Sequence, residues 1–175
     1  MRSRHIASMQ QYERGQNLDA ELAQWYVQLV QDGDLGKLLG SSLWSLGAFL
    51  EHFRSCSFLL YEADADGRWW YVSWLFPFMY GGTWGVWFRA DYRSRGLSAR
   101  HRVGMQHIRE SLRQAFEIFP VLINTTKQPD VVAKTVKLGY TYLGEIPLLF
   151  DGESCHVLHL TRQRFEADNA RWERY

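Results

Sequence analysis

Apolar positions recur every three or four residues early in the chain, then switch to alternating or continuous runs. Leu22, Trp25, Tyr26, Leu29 and Val30 make a helical stripe. They predict a helix over 19–31, capped by Asp19 and ended by Gly33. Leu39, Leu43, Leu46, Phe49, Leu50 and Phe53 predict a second helix over 37–54. The pattern then reads as strands at 57–63, 68–78 and 83–89. Asp66-Gly67 makes the first turn between them and Gly81-Gly82 the second break. Met105, Ile108, Leu112, Phe116 and Phe119 give one buried face to a helix over 98–118, which Pro120 stops.

A short apolar strand follows at 121–123. Pro129 and Asp130 suit the start of a helix that ends at Gly139. Residues 140–149 and 154–161 read as a hairpin about Asp151-Gly152. A weak first strand is predicted at 5–9, within a polar segment over 1–18, and a polar helical tail over 162–175. Tight turns join antiparallel strands, and a crossover helix joins parallel ones. The fold class is therefore α/β (α+β), a mixed, mostly antiparallel sheet of six to seven strands flanked by helices.

Composition adds bounds. At 175 residues and 46% hydrophobic content, the chain predicts a single domain over 1–175 with a substantial core. A formal net charge of +1 gives no global case for a nucleic-acid or membrane partner. Cys56 and Cys155 lie far apart without metal-ligand spacing and read as buried free thiols of a cytoplasmic protein; no metal site is predicted. The most apolar run, 69–80, is far shorter than the ~20 residues of a spanning helix, and Pro77 interrupts it.

The charge is unevenly placed. Between Arg89 and Arg113 stand seven arginines against Asp91 and Glu110. Within this region, residues 88–98 read Phe-Arg-Ala-Asp-Tyr-Arg-Ser-Arg-Gly-Leu-Ser, between a predicted strand and a predicted helix. A basic, glycine-containing turn that opens a helix presents backbone N–H groups and a positive dipole end to an anion. A small polyanion fits this local excess better than a long nucleic acid does.

The segment resembles the cofactor turn of the GNAT superfamily of acyl-CoA-dependent N-acetyltransferases, roughly Val-x-Pro-x-Tyr-Arg-x-Arg/Lys-Gly-x-Gly/Ala. Tyr92, Arg93, Arg95 and Gly96 match; Phe88, Ala90 and Ser98 stand at the Val, Pro and Gly/Ala positions. About 40 residues on, Lys137-Leu-Gly-Tyr140 resembles the family's Lys-Leu-Gly-Phe/Tyr helix end, with Gly139 as the C-cap. The resemblance covers about 57–161. It implies an N-acetyltransferase fold, acetyl-CoA as co-substrate and a small-molecule or peptide amine as acceptor. By resemblance, Phe88, Arg93, Ser94, Arg95, Gly96, Leu97, Ser98 and Ala99 hold the cofactor. Asn124, at the exit of the following strand, either bonds the pantetheine amides or serves as a strand-end turn residue.

The family's usual acid and base are not matched. Thr135 stands at the position of the common tyrosine, and 83–88 contain no carboxylate. Glu62, Asp91 and Glu145 are the nearest acids in sequence and read as solvated strand-end or turn charges. His101 and His107 read as surface residues of the helix after the turn, and Tyr140 and Tyr142 as strand positions of the core. No catalytic residue is assigned. A second expectation is a catalytically silent GNAT-fold structural or interaction protein, with a homo-oligomer or assembly partner; phage-encoded, virion-associated members provide that precedent. Trp25, Tyr26, Trp44 and Phe150 either wall an acceptor pocket or pack in the core.

Overall fold

The computed structural model describes residues 10–13, 18–39, 43–93, 99–150 and 153–168. Among them the order is β1 (Gln10–Glu13), α1 (Asp19–Gln31), α2 (Leu35–Leu39), α3 (Leu46–Arg54), β2 (Phe58–Ala63), β3 (Trp69–Phe78) and β4 (Gly81–Phe88). Then come α4 (Ala90–Arg93), α5 (Ala99–Ile118), β5 (Val121–Thr126), α6 (Pro129–Lys137), β6 (Thr141–Phe150), β7 (Glu153–Thr161) and α7 (Arg162–Ala167). The seven strands form one sheet in the order β1-β2-β3-β4-β5-β7-β6. β1–β2, β2–β3, β5–β7 and β6–β7 are antiparallel, whereas β4–β5 is parallel. The parallel pair is the one joined through a 20-residue helix, as a crossover requires. The mixed, mostly antiparallel sheet read from the sequence is thus present.

Local chemistry explains where the elements differ from the expected ones. Asp19 is the first helical residue of α1 and not its cap; Leu18 is the cap, without a side-chain bond. Asp19 instead binds the Arg54 guanidinium at the end of α3. The expected long helix over 37–54 is two helices. Ser45 caps the second, its Oγ accepting from the Ala48 N–H at 3.2 Å, and Leu43 before it is exposed. The strand expected at 5–9 lies outside the described residues; β1 covers Gln10–Glu13. The second break is Met79-Tyr80, with Met79 at φ 51°, and Gly81 and Gly82 begin β4.

Contacts divide the chain into two compact units, 1–76 with 86–101 and 77–85 with 102–175. The core of the first is aromatic. Trp25 of α1 is fully buried, stacked on Trp69 at 5.3 Å and edge-on to Phe49 and Phe53 at 5.4 and 5.0 Å. Gln28, one turn on, is also buried and clamps the first residue of β3. Its Nε2 donates to the Trp69 carbonyl at 2.7 Å, and its Oε1 accepts from the Trp69 N–H at 2.9 Å. Gln28 therefore takes the place in the helix's buried stripe expected of Val30, which is half exposed.

The second unit buries Leu112 of α5, Leu122 of β5 and Leu158 of β7 completely. The buried side of α5 also includes His107 and Ser111. His107 departs from the surface expectation; its position one turn before Ser111 and one residue before Ile108 puts it on the packed face instead. Cys56 and Cys155 are buried free thiols, as expected, and burial pushes the Cys56 thiol up to about 12.

Gly81 is dictated by a close approach: a Cβ there would lie 2.5 Å from the Val121 carbonyl oxygen. Gly81→Ala must push β5 away, and a loss of about 1–3 kcal/mol is expected in urea denaturation. Trp25→Ala, which empties the aromatic hub, is expected to cost about 3–5 kcal/mol in the same assay.

Candidate functional site

The segment leading into the arginine-rich turn is fastened to the sheet by its own motif residues. β2 and β3 slip register between Glu62 and Ala63, which pair with Tyr71 and Trp69. Trp70 is the residue left over, a β-bulge that re-aims its side chain. Its indole stacks on the Tyr92 ring at 4.5 Å and 15°, and its carbonyl accepts from the Arg89 N–H at 3.0 Å. Tyr92, matched in the sequence as part of a cofactor turn, is thereby an anchor for α4.

Arg89 completes the anchor. Its side chain is 12% exposed, with Nε 2.8 Å from Asp91 Oδ1 and NH1 2.8 Å from Asp64 Oδ2. The contact with Asp64 is an ion pair without an aligned hydrogen bond, since NH1 has no partner of good geometry. The guanidinium also lies 5.4 Å from the Tyr92 ring centre. The Asp91 bond foremost, then Asp64, hold Arg89 charged well above its ordinary value against the opposing effect of burial. Partial burial works to raise the Asp64 carboxyl. The nearby Arg89 guanidinium, with N–H donors from Arg68 and Asp66, outweighs it and holds the group below the usual carboxylate range. Asp91, read from sequence as a solvated turn charge, is therefore committed to Arg89.

In the second unit, β4 and β5 pair through their backbones at Gly82↔Leu122. Beyond that pair side chains take over. Thr83 Oγ1 donates to the Ile123 carbonyl at 2.9 Å. Asn124 Nδ2 donates to the Trp84 carbonyl at 2.7 Å, and its Oδ1 accepts from the Trp84 N–H at 3.3 Å. A side chain spans the distance a neighbouring backbone would otherwise close, so the two strands part here. Trp84 is fixed from a further direction, its Nε1 donating to Ser111 Oγ at 3.2 Å; that hydroxyl donates to the Ile108 carbonyl at 3.0 Å.

The remaining expected residues fall as follows. Phe88 ends β4 with its ring 5.2 Å from that of buried Tyr71. Arg93 ends α4 and Ala99 begins α5, while Ser94, Arg95, Gly96, Leu97 and Ser98 lie outside the described residues. Thr135 is buried, its Oγ1 donating to the Val131 carbonyl at 2.8 Å, and so is spent on its own helix. Tyr140 is core, as expected, with burial raising its hydroxyl and no partner for it among the described residues. Tyr142 departs from the core expectation: it is 43% exposed, its hydroxyl 3.1 Å from His156 Nδ1. Trp25 and Tyr26 pack in the core side of α1, with the Tyr26 hydroxyl donating to the Trp44 carbonyl at 2.8 Å, so they supply no free acceptor wall. The Phe150 side chain lies outside the described residues. Sequence reasoning missed Trp70, Asp64 and His156; each acts through a partner distant in sequence that no local motif marks.

No protein-family model and no curated protein matches the chain. Solved structures do. A mutant of the spermidine N-acetyltransferase SpeG from Vibrio cholerae superposes with a TM-score of 0.62 at 12% identity, covering 90% of this chain and 96% of that one. A GNAT superfamily phosphinothricin acetyltransferase (Pat) from Sinorhizobium meliloti, in complex with AcCoA, gives 0.60 at 13%, covering 87% and 88%. The ribosomal-protein-alanine N-acetyltransferase from Brucella melitensis gives 0.57 at 16%, covering 87% and 99%. The chain has the GNAT fold. On this GNAT fold, no helix among the described residues is long and apolar enough to cross a membrane. Nor do three or more His, Cys, Asp or Glu among them gather as a metal site.

The Arg89 anchor has a pH signature. Because the Asp64 carboxyl is depressed, its stabilisation is present above the unfolded pKa of about 3.9 and is lost as pH falls through the lower folded value. Arg89→Met takes the guanidinium away from two carboxylates. At neutral pH it is expected to cost about 2 kcal/mol, less than the ~3–5 of a fully buried pair because both partners are partly exposed. The gap between wild type and variant should narrow as denaturation is repeated below about pH 4.

Proposed function

We propose that this chain is an acetyl-CoA-dependent N-acetyltransferase that moves an acetyl group from the coenzyme A thioester to an amine. The observation that carries this reading is the parting of β4 from β5 after Gly82, held by Asn124 on the Trp84 backbone. An extended pantetheine arm, which has amide donors and acceptors of its own, suits a strand that has lost its neighbour. The anchoring of α4 supports the same reading, since α5, the next described helix, has no acidic residue in its first turn.

In this reading the N–H groups of residues 95–99 receive the pyrophosphate. Gly96 permits close backbone approach, and Arg93, Arg95 or Arg100 adds charge-assisted bonds. The β4 backbone beyond Trp84 holds the arm, and an N–H near Phe88 donates to the thioester oxygen as negative charge develops there. A neutral amine attacks the carbonyl carbon directly, forming the C–N bond, and the C–S bond breaks to release the thiol. Neighbours named for spermidine, phosphinothricin and ribosomal-protein alanine have in common an amine to be acylated, and a small-molecule or peptide amine is the acceptor class proposed here. The site this describes belongs to a cytoplasmic enzyme.

A second reading, a GNAT-fold interaction module without chemistry, draws on Thr135, whose hydroxyl is buried and bonded within its own helix. Two measurements separate them. Titration calorimetry with acetyl-CoA should give a Kd within the ~1 μM–1 mM range typical of enzyme substrates, weakened at least about tenfold in Gly96→Trp. Absence of heat with the wild type at millimolar acetyl-CoA would sink the enzyme reading. Thiol release with spermidine, phosphinothricin and an alanine-terminated peptide should exceed the amine-free rate for at least one of them; binding without any such turnover would favour the module.

A further inference from the structure

Acylation of an amine releases a proton, and the family's usual acid and base positions do not take it up. Thr135, at the acid position, is bonded to its own helix, 83–88 hold no carboxylate, and Asp91 nearby is bonded to Arg89. Three other ionisable side chains gather on one face of β6 and β7. Glu145 lies directly opposite His156 in the register, and Tyr142 opposite Leu158. Residues 156 and 158 share a face, because side chains alternate along a strand. Tyr142 and Glu145 are three apart and would normally point to opposite faces. A β-bulge brings them together: the register passes from Tyr142 to Gly144 with Leu143 left over. Gly144 allows it by adopting φ +140°, a conformation side chains rarely take, although a Cβ there would touch nothing within 4 Å.

The consequence is a defined imidazole. Tyr142 Oη lies 3.1 Å from His156 Nδ1, with ring centres 5.8 Å apart. When Nδ1–H donates to the tyrosine oxygen, Nε2 keeps a free lone pair. Glu145 stands opposite on the neighbouring strand, the Cβ atoms of such pairs being about 4.5–5.5 Å apart. On the other side of His156, β5 contributes Thr126 at the same register position, and Asn124 one pair along, opposite Leu158. The imidazole therefore shares a face with the residue that spans the β4–β5 gap, a diagonal step of about 7–8 Å away.

We propose that His156 is the proton acceptor for the incoming amine, with Tyr142 as its positioning residue. The inference rests on the acyl-transfer reading above. As the amine nitrogen bonds to the carbonyl carbon, its proton passes to Nε2. The C–S bond then breaks with its electron pair going to sulfur. The imidazolium returns its proton to solvent and the thiolate takes one from solvent, leaving amide, free thiol and a neutral ring.

The test uses the full chain and the amine acetylated fastest by the wild type. His156→Ala should bind acetyl-CoA with unchanged affinity by calorimetry. Its kcat should fall about 10²-fold or more, within the range for loss of a general base, with KM for acetyl-CoA unmoved. Added imidazole should restore part of that rate in His156→Ala and none in the wild type, which a packing role would not produce. His156→Gln keeps an amide to bond Tyr142 and guards against misfolding of the alanine variant; it should be folded by thermal melt and equally slow. Variants that retain kcat within about a factor of three would overturn the inference while leaving cofactor binding standing. A wild type that binds no acetyl-CoA, or acetylates none of the amines, would overturn it together with the enzyme reading.

Discussion

Asn124 takes both the N–H and the C=O of Trp84 with a single side-chain amide, and the opening in the sheet depends on that substitution of side chain for backbone. A strand that leaves its neighbour exposes paired donors and acceptors, each costly to bury without a partner. An amide of the same hydrogen-bonding capacity satisfies one residue's worth and lets the strands diverge from there. Gly81 makes the arrangement close at its other end, where only a missing Cβ lets β4 lie against the Val121 carbonyl. The gap is thus bounded by a glycine contact, one backbone pair, the Thr83 hydroxyl on the Ile123 carbonyl and one amide bridge. Gln28 does the same for Trp69 at the first residue of β3. In both places an amide caps a strand residue at the point where regular pairing lapses.

Two bulges do the complementary work of aiming side chains. The slip in β2–β3 turns Trp70 toward Tyr92, so that the chain entering α4 is held by a ring stack and by Arg89 on Asp64 and Asp91. The slip in β6–β7 places Tyr142 and Glu145 on the same face as His156. Neither bulge adds much to the core. Each brings together polar or aromatic groups that strict two-residue alternation would separate. Polar chemistry therefore collects where the sheet departs from regularity, and the regular parts, Trp25 with Phe49, Phe53 and Trp69 foremost, supply the rigidity.

Much of the fold is legible from period alone. The stripe of Leu22, Trp25 and Leu29 locates α1, Pro129 and Gly139 bracket α6, and the mixed sheet follows from which strands are joined by turns and which by α5. The single helix expected over 37–54 fails because its apolar spacing runs on through a segment that Ser45 restarts; a cap outweighs periodicity there. The surface expectation for His107 fails because polarity suggests solvent, whereas its helical phase puts it beside Ile108 and Ser111. The site is less legible. Tyr92 and Asn124 are marked by resemblance, but their partners, Trp70 and the Trp84 backbone, are set by register. His156 gains meaning only when Tyr142, Glu145 and Thr126 stand beside it, and no spacing within one strand encodes a neighbour on another.

We propose β4 beyond Trp84, together with the residues that follow it, as the surface for acyl-coenzyme A. Amide hydrogen exchange followed residue by residue, with and without saturating acetyl-CoA, tests it most directly. Bound acetyl-CoA is expected to slow exchange at 86–88 and 95–99 and to leave the Gln28-clamped start of β3 unchanged. Unaltered exchange across those residues, or protection confined to other parts of the chain, would contradict it.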